Sequence, residues 1–269
     1  MAEHHGPIQK WPTIPVLGLL LCTLAPAQKP SPEEQRRTVD AAREIALDYT
    51  GALPDFICTE MVQRMETVAS ARNTTTDKLT IQLAYFGQKE KYKLIAINGT
   101  PATQSLESLG GLISGGEFGT ALLRVFDPSS MAAFEWKRSS SIRQRRTAVY
   151  TYHVARPKSH YVLGYRNDAG EMVQATAGYH GEVDLDSETL EVLRVTTIAD
   201  DIPKESRILE SSVELDYDLA DVAGRRYLLP ARADSTLARG FRTLRNLVTF
   251  TGYRKFEAES TIDFGGRGH

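Results

Sequence analysis

The spacing of apolar residues predicts a single helix near the start of the chain. Five of them recur at the spacing of one helix face, namely Val39, Ala42, Ile45, Ala46 and Tyr49. Ser31 stands where an N-cap belongs, and acids follow in the first turn, where the helix dipole favours negative charge. Gly51 and Pro54 end the pattern. We therefore expect an amphipathic helix that begins after Ser31 and ends near Tyr49.

From Phe56 onward apolar and polar residues alternate, which is typical of strands with one buried face. The clearest segment, Val213–Leu219, places four apolar residues on one face and three acids on the other. No helix of βαβ length separates the strands after residue 140, so we expect an antiparallel sheet. Turn sequences occur at Gly87-Gln88, Asn98-Gly99, Asn167–Gly170, Asp186–Thr189 and Ala223-Gly224. We expect about eleven strands, near 56–68, 78–86, 90–98, 142–156, 159–166, 171–176, 178–186, 190–199, 206–219, 226–237 and 244–254.

The start of the chain resembles an export signal. A weakly cationic segment precedes the apolar run Ile14–Ala25, which at about a dozen residues is too short to span a membrane. Ala25-Pro26-Ala27 supplies a cleavage pattern of small residues. We predict a signal peptide over 1–27 and a single domain over 28–269, exported to the periplasm or beyond the cell. Leu21 stands before Cys22 where a lipoprotein has Gly or Ala, so we do not expect lipid anchoring through Cys22.

Composition narrows the classes of protein. Apolar residues make up 41% of the chain, and the 32 basic and 34 acidic residues leave a net charge of −2. This balance gives no basic excess for binding nucleic acid. The two cysteines, Cys22 and Cys58, are too few for a disulfide scaffold or a four-cysteine zinc site. The sequence does not indicate an oligomeric state.

Several segments, taken in chain order, resemble segments of proteins of the LolA/LolB-type half-barrel superfamily. The most specific is Tyr179–Arg194, a strand, a D-x-x-T turn and a second strand that ends in arginine. Ile202-Pro203, Asp216-Tyr217 and Tyr227–Pro230 continue in the same order, and Gly115–Gly119 resembles a motif of bacterial secreted proteins with this layout. The resemblance implies an α+β fold, an antiparallel half-barrel with an N-terminal helix. The stretch 102–137, with Phe118–Phe126 helical, would be an insertion on the concave face.

The candidate chemistry on the strands has simple structural explanations. Asp184 and Asp186, and likewise Asp216, Asp218 and Asp221, alternate with apolar residues, so we expect them to form solvent-exposed rows. His153 and His180 are expected on solvated strand faces, and Cys58 as a small buried residue. We find no catalytic triad, metal-ligand spacing or cofactor motif, and we predict no cofactor and no metal.

The aromatic residues and a glycine-rich loop suggest a binding role. An inward-curving sheet would place six rings around an apolar cavity: Tyr85, Tyr92, Trp136, Tyr150, Tyr152 and Tyr217. An ordinary packed core is the alternative. A lid loop would comprise Gly110, Gly111, Gly115, Gly116, Glu117, Phe118 and Gly119.

The resemblance and these residues favour a non-enzymatic protein that binds a lipid, an acyl chain or a lipoprotein. The alternatives are a secreted hydrolase that uses Ser114 or a carboxylate pair, and a cell-envelope interaction protein.

The export hypothesis predicts the first residue of the mature protein. Cleavage after Ala27 leaves Gln28 at the N-terminus, and intact-mass spectrometry of the exported protein would show this directly. An acylated Cys22 as first residue would contradict soluble export.

Overall fold

The computed structural model describes Met1 and residues 29–69, 73–109, 111–112, 118–167 and 169–256. The predicted signal peptide and Cys22 therefore lie outside the described residues. So do six residues of the glycine-rich loop, namely Gly110, Ile113, Ser114, Gly115, Gly116 and Glu117.

The described residues contain two α-helices, α1 at Pro32–Ala52 and α2 at Thr120–Phe126. Ser31 caps α1 as predicted, because its hydroxyl accepts a hydrogen bond from the Glu34 N–H at 3.3 Å. The Glu34 carboxylate in turn accepts from the Ser31 N–H at 2.7 Å, which completes a capping box. In the described part of the chain, neither helix is long and apolar enough to cross a membrane.

Most of the chain forms one antiparallel sheet of eleven strands. In chain order the strands of the structure are β1 Phe56–Val68, β2 Asn73–Phe86, β3 Lys89–Ile97, β4 Thr100–Pro101, β5 Gly111–Leu112, β6 Ala133–Ile142, β7 Arg145–Val154, β8 Val162–Arg166, β9 Met172–Thr176, β10 Gly178–Asp186, β11 Val192–Asp200, β12 Ile208–Val222, β13 Arg225–Arg239 and β14 Arg242–Lys255. The large sheet has the order β4-β3-β2-β1-β14-β13-β12-β11-β10-β7-β6 and does not close. This confirms the predicted α+β half-barrel.

Two details of the strand assignment were wrong. The predicted interruption over 102–137 is shorter, because β6 begins at Ala133 and forms the edge of the large sheet beside β7. A register shift between Trp136 and Arg138, followed by exposed serines, hides its alternation. The predicted strands near 159–166 and 171–176 exist as β8 and β9, but they belong to a separate small sheet, in which β8 pairs with both β5 and β9.

The predicted turns connect neighbouring strands. Asn98 and Gly99 have φ values of 50° and 80°, and Ala223 and Gly224 have 54° and 80°. Two successive positive φ angles suit a type I′ turn, whose twist matches that of the flanking strands. These local signals therefore fix β3–β4 and β12–β13.

The core lies between the concave face of the large sheet and the two helices. Tyr49 of α1 packs edge-on against Tyr217 of β12 and donates a hydrogen bond to the carbonyl of Leu228 at 3.0 Å. Tyr179 of β10 donates to the carbonyl of Arg124 in α2 at 2.5 Å. Each helix is therefore joined to the sheet by a tyrosine hydroxyl as well as by apolar packing.

A glycine on β10 leaves room for a third tyrosine contact in the core, made by Tyr152. Tyr152 of β7 lies directly opposite Gly181, and its hydroxyl passes over this glycine to reach β11. There it donates to the carbonyl of Thr196 at 2.7 Å and lies 2.8 Å from the Thr197 hydroxyl oxygen. A Cβ at Gly181 would lie 1.8 Å from the Thr196 carbonyl oxygen. No side chain fits there while the three strands keep their spacing.

We expect Gly181→Ala to lower the free energy of unfolding by about 3 kcal/mol or more, because it overpacks backbone against backbone. Urea unfolding would measure the loss. Gly164→Ala is the matched control on β8, since its Cβ would meet nothing closer than 3.7 Å. Equal stability of the two variants would contradict this account of Gly181.

Candidate functional site

Four of the six predicted cavity aromatics lie in the packed core. Tyr85, Tyr150, Tyr152 and Tyr217 are each no more than 2% exposed. Burial raises the pKa of Tyr85, Tyr150 and Tyr152, so their hydroxyls remain protonated. Ligand contact by these four residues remains a prediction.

The other two aromatics lie near opposite edges of the sheet. Tyr92 of β3 is partly buried, and its hydroxyl donates to the Glu90 carboxylate. Trp136 of the edge strand β6 is also partly buried, and its backbone N–H donates to the Gln35 side chain at 3.2 Å. The structure therefore does not gather the six rings around one space.

A short leucine-rich segment covers the concave face at β1–β3. We define the leucine cover as Leu106, Leu109 and Leu112, which are half-buried and pack against the core. A partly open space of about 40 Å³ lies between this cover and the strands. Its remaining lining consists of four apolar or aromatic residues and three polar ones, namely Val62, Leu79, Ile81, Tyr92, Glu60, Arg64 and Asn246.

Among the described residues, polar contacts from neighbouring strands reach the cover at Leu112. The Asn246 side chain donates to the carbonyl of Leu112 at 3.0 Å, and β5 pairs with β8 over only two residues. Beyond the glycine-rich stretch, Phe118 is buried among aromatic rings that include Phe56 and Phe250. Phe118 thus anchors the far end of the predicted lid loop.

The outer face of the sheet carries buried carboxylates, which corrects one sequence-based expectation. Asp184, Asp186 and Asp216 are 4–6% exposed rather than solvated. Arginines from other strands cover two of them, since Arg194 bonds Asp216 at 2.5 Å and Arg145 bonds Asp186 at 2.7 Å. Outside this cluster, Asp218 is half-exposed and Asp221 is exposed, as predicted.

The pKa values of two of these carboxylates are shifted in opposite directions. Burial raises the pKa of Asp184, and Arg194 opposes only part of that increase. Burial would also raise the pKa of Asp186, but N–H groups of the following turn and Arg145 together hold it below its usual value. The Asp186 carboxylate accepts from the N–H groups of Glu188 and Thr189 at 2.8 and 2.9 Å. The D-x-x-T segment is thus a structural turn.

The two predicted solvent-facing histidines lie side by side on the outer face. His153 of β7 and His180 of β10 are directly opposite each other in the register, and both line an open depression of about 750 Å³. The Nδ1 of His180 is 2.5 Å from a carboxylate oxygen of Asp200 on β11. The alternation of residues predicts both histidines on solvated faces. It does not indicate the carboxylate partner of His180, because Asp200 lies on another strand.

A hydrolase would need a nucleophile beside this His–Asp pair. No serine lines the depression among the described residues. The hydroxyl of Thr151 donates to the carbonyl of Glu135 at 3.2 Å, and that of Thr196 accepts from the N–H of Glu182 at 2.9 Å. Cys58 is buried, and burial raises the pKa of its thiol. Within the described residues, no three His, Cys, Asp or Glu side chains are placed to hold a metal together.

Comparison with known proteins finds similarity to solved structures at low sequence identity. No protein-family model and no curated protein matches the chain. A DUF1329 family protein from Desulfovibrio piger has 10% identity and a TM-score of 0.38, over 86% of this chain and 96% of that one. A putative outer membrane lipoprotein-sorting protein domain from Vibrio parahaemolyticus has 11% identity and a TM-score of 0.38, over 86% and 97%.

A LolA superfamily protein from Nitrosomonas europaea has 11% identity and a TM-score of 0.30, over 83% of this chain and 94% of that one. The superfamily that the sequence resembles is therefore among the structures found. Identities and scores this low transfer no function to this chain.

The opposed pKa shifts predict different responses to amide substitution. At pH 7, Asp186→Asn should lower the free energy of unfolding by about 1–3 kcal/mol, because it removes a charge-assisted contact with Arg145. Asp184→Asn should cost less, because burial already disfavours the charged form there.

A lowered carboxyl pKa stabilises the fold above the unfolded pKa of about 4, and that contribution disappears as pH falls through the folded value. The deficit of Asp186→Asn should therefore shrink below pH 4 in urea unfolding measured against pH. A deficit that is constant down to pH 2, or a larger loss for Asp184→Asn at pH 7, would contradict the assignment.

Proposed function

We propose that this chain is a non-enzymatic binding protein whose concave face at β1–β3 holds an apolar ligand. The ligand would be a lipid, an acyl chain or the acylated segment of a lipoprotein. The observation that carries the proposal is the leucine cover over the floor residues Val62, Leu79 and Ile81. That floor is covered by a short segment rather than by α1 or α2.

Binding would exchange one apolar partner for another. Displacing Leu106, Leu109 and Leu112 exposes Val62, Leu79 and Ile81, and an acyl chain laid on the same floor buries them again. Because the space under the cover is only about 40 Å³, an acyl chain can lie on this floor only after the cover moves. The affinity would therefore include the free energy needed to open the cover.

The way the segment is held supports its displacement. Opening breaks the hydrogen bond from Asn246 to Leu112 and the two-residue β5–β8 pairing, whereas the long strands beneath remain intact. Phe118 would keep the far end attached while the cover moves.

Three further statements belong to this proposal. The chain would be exported, as the N-terminal sequence indicates, and would work without catalysis. Its partners would be lipids or lipoproteins rather than nucleic acid. The hydrolase alternative has less support, because the two threonine hydroxyls that line the depression of His180 bond to the backbone.

Substitutions in the cover and in the floor should change ligand affinity in opposite directions. Leu109→Ala removes apolar packing that holds the cover closed, so a fluorescent fatty acid should bind about fivefold more tightly. Val62→Thr keeps the shape of the floor but places a hydroxyl beneath the ligand, so binding should weaken by about tenfold. Fluorescence titration would give both dissociation constants.

Leu209→Ala serves as the matched control, because Leu209 is exposed on β12 and should leave affinity unchanged. Absence of fatty-acid binding by the wild type would overturn the proposed function. Parallel losses in Leu109→Ala and Val62→Thr would overturn the role of the cover.

A further inference from the structure

A pair of histidines on the outer face has the geometry of an open metal site. His153 and His180 occupy opposing positions on neighbouring antiparallel strands. Side chains at such positions have Cβ atoms about 4.5–5.5 Å apart, which allows two imidazoles to reach one ion. Both residues line the same depression, His153 is exposed, and the His180 side chain is 45% exposed.

The second nitrogen of His180 is held as in many metal sites. Asp200 lies 2.5 Å from Nδ1 of His180, which leaves Nε2 directed away from this carboxylate. Metal-bound histidines usually donate their other ring N–H to a carboxylate or carbonyl, which fixes the tautomer and orients the ring. Asp200 is therefore a positioning residue for His180 rather than a ligand.

The surroundings leave access to the pair. Ala133 is opposite His153 on β6 and is too small to cover the imidazole. Three charged residues line the depression, Glu135, Lys137 and Glu182, so its lining has a net charge of −1. Glu182 is bonded by Lys137 and Arg138, at 2.5 and 2.8 Å, so it is engaged as an ion-pair partner.

We propose that His153 and His180 bind a first-row transition-metal ion of the Zn²⁺ or Cu²⁺ type. Imidazole nitrogen suits these ions, and the usual order of affinities places Cu²⁺ above Zn²⁺. Two protein ligands would leave the remaining positions to water. This site is independent of the proposed apolar ligand, which would lie on the concave face.

Thermal unfolding with added Zn²⁺ tests the site in the full chain. The two histidines are on different strands, so unfolding destroys the pair, and Zn²⁺ should raise the midpoint temperature once its concentration exceeds the dissociation constant. His4 and His5 are adjacent in the sequence, so a site made from them would not depend on the strand pairing. The zinc-dependent shift should be lost in both His153→Asn and His180→Asn.

Asp200→Asn should weaken zinc binding by about 10–100-fold, as is typical for a residue that orients a metal ligand. His160→Asn is the matched control, since His160 is exposed beside Ser129 and should keep the full shift. Mg²⁺ should give no shift, because it prefers oxygen ligands. The proposal is overturned if Zn²⁺ does not shift the wild type, or if either histidine variant responds as the wild type does.

Discussion

An antiparallel sheet that curves without closing has an apolar concave face that must be buried by other parts of the chain. Two helices cover part of it here, through Tyr49 of α1 and the buried side chains of α2. At β1–β3 the cover is instead a short leucine-rich segment. The binding proposal depends on this difference in cover, because helices joined by tyrosine hydroxyls are harder to displace than a short segment of three half-buried leucines.

The outer face of the sheet is stabilised by ion pairs rather than by apolar packing alone. Its carboxylates are buried beneath arginines of neighbouring strands, as Arg194 and Asp216 illustrate. A buried carboxylate is costly without such partners, and each pair also fixes how two strands lie beside each other. This face therefore has charged groups in defined positions, including the His180–Asp200 pair. The two proposals therefore place an apolar ligand on the concave face and a cation on the outer face.

Local sequence signals predict the helices, strands and turns. The contacts between residues on different strands are not predictable from such signals. The Ser31 cap and the Asn98-Gly99 turn were predictable because each depends on neighbouring residues. The burial of Asp184 was not, because alternation alone suggests a solvated residue and its covering groups lie on other strands. The leucine cover was missed for a similar reason, since three leucines in an irregular stretch have no strand or helix period. The alternation of apolar and polar residues thus predicts the two faces of each strand. The strand pairing in the structure is needed to show which residues cover each face.

Hydrogen–deuterium exchange of the ligand-free protein tests most directly whether the cover opens independently of the sheet. Local opening predicts that peptides spanning residues 100–112 exchange much faster than peptides from β12 and β13. Adding a fatty acid should then change protection in β1–β3 and in the cover, with α1 unaffected. Exchange of the cover at the slow rate of β12 and β13 would contradict the account, because the segment would then open only when the whole domain unfolds.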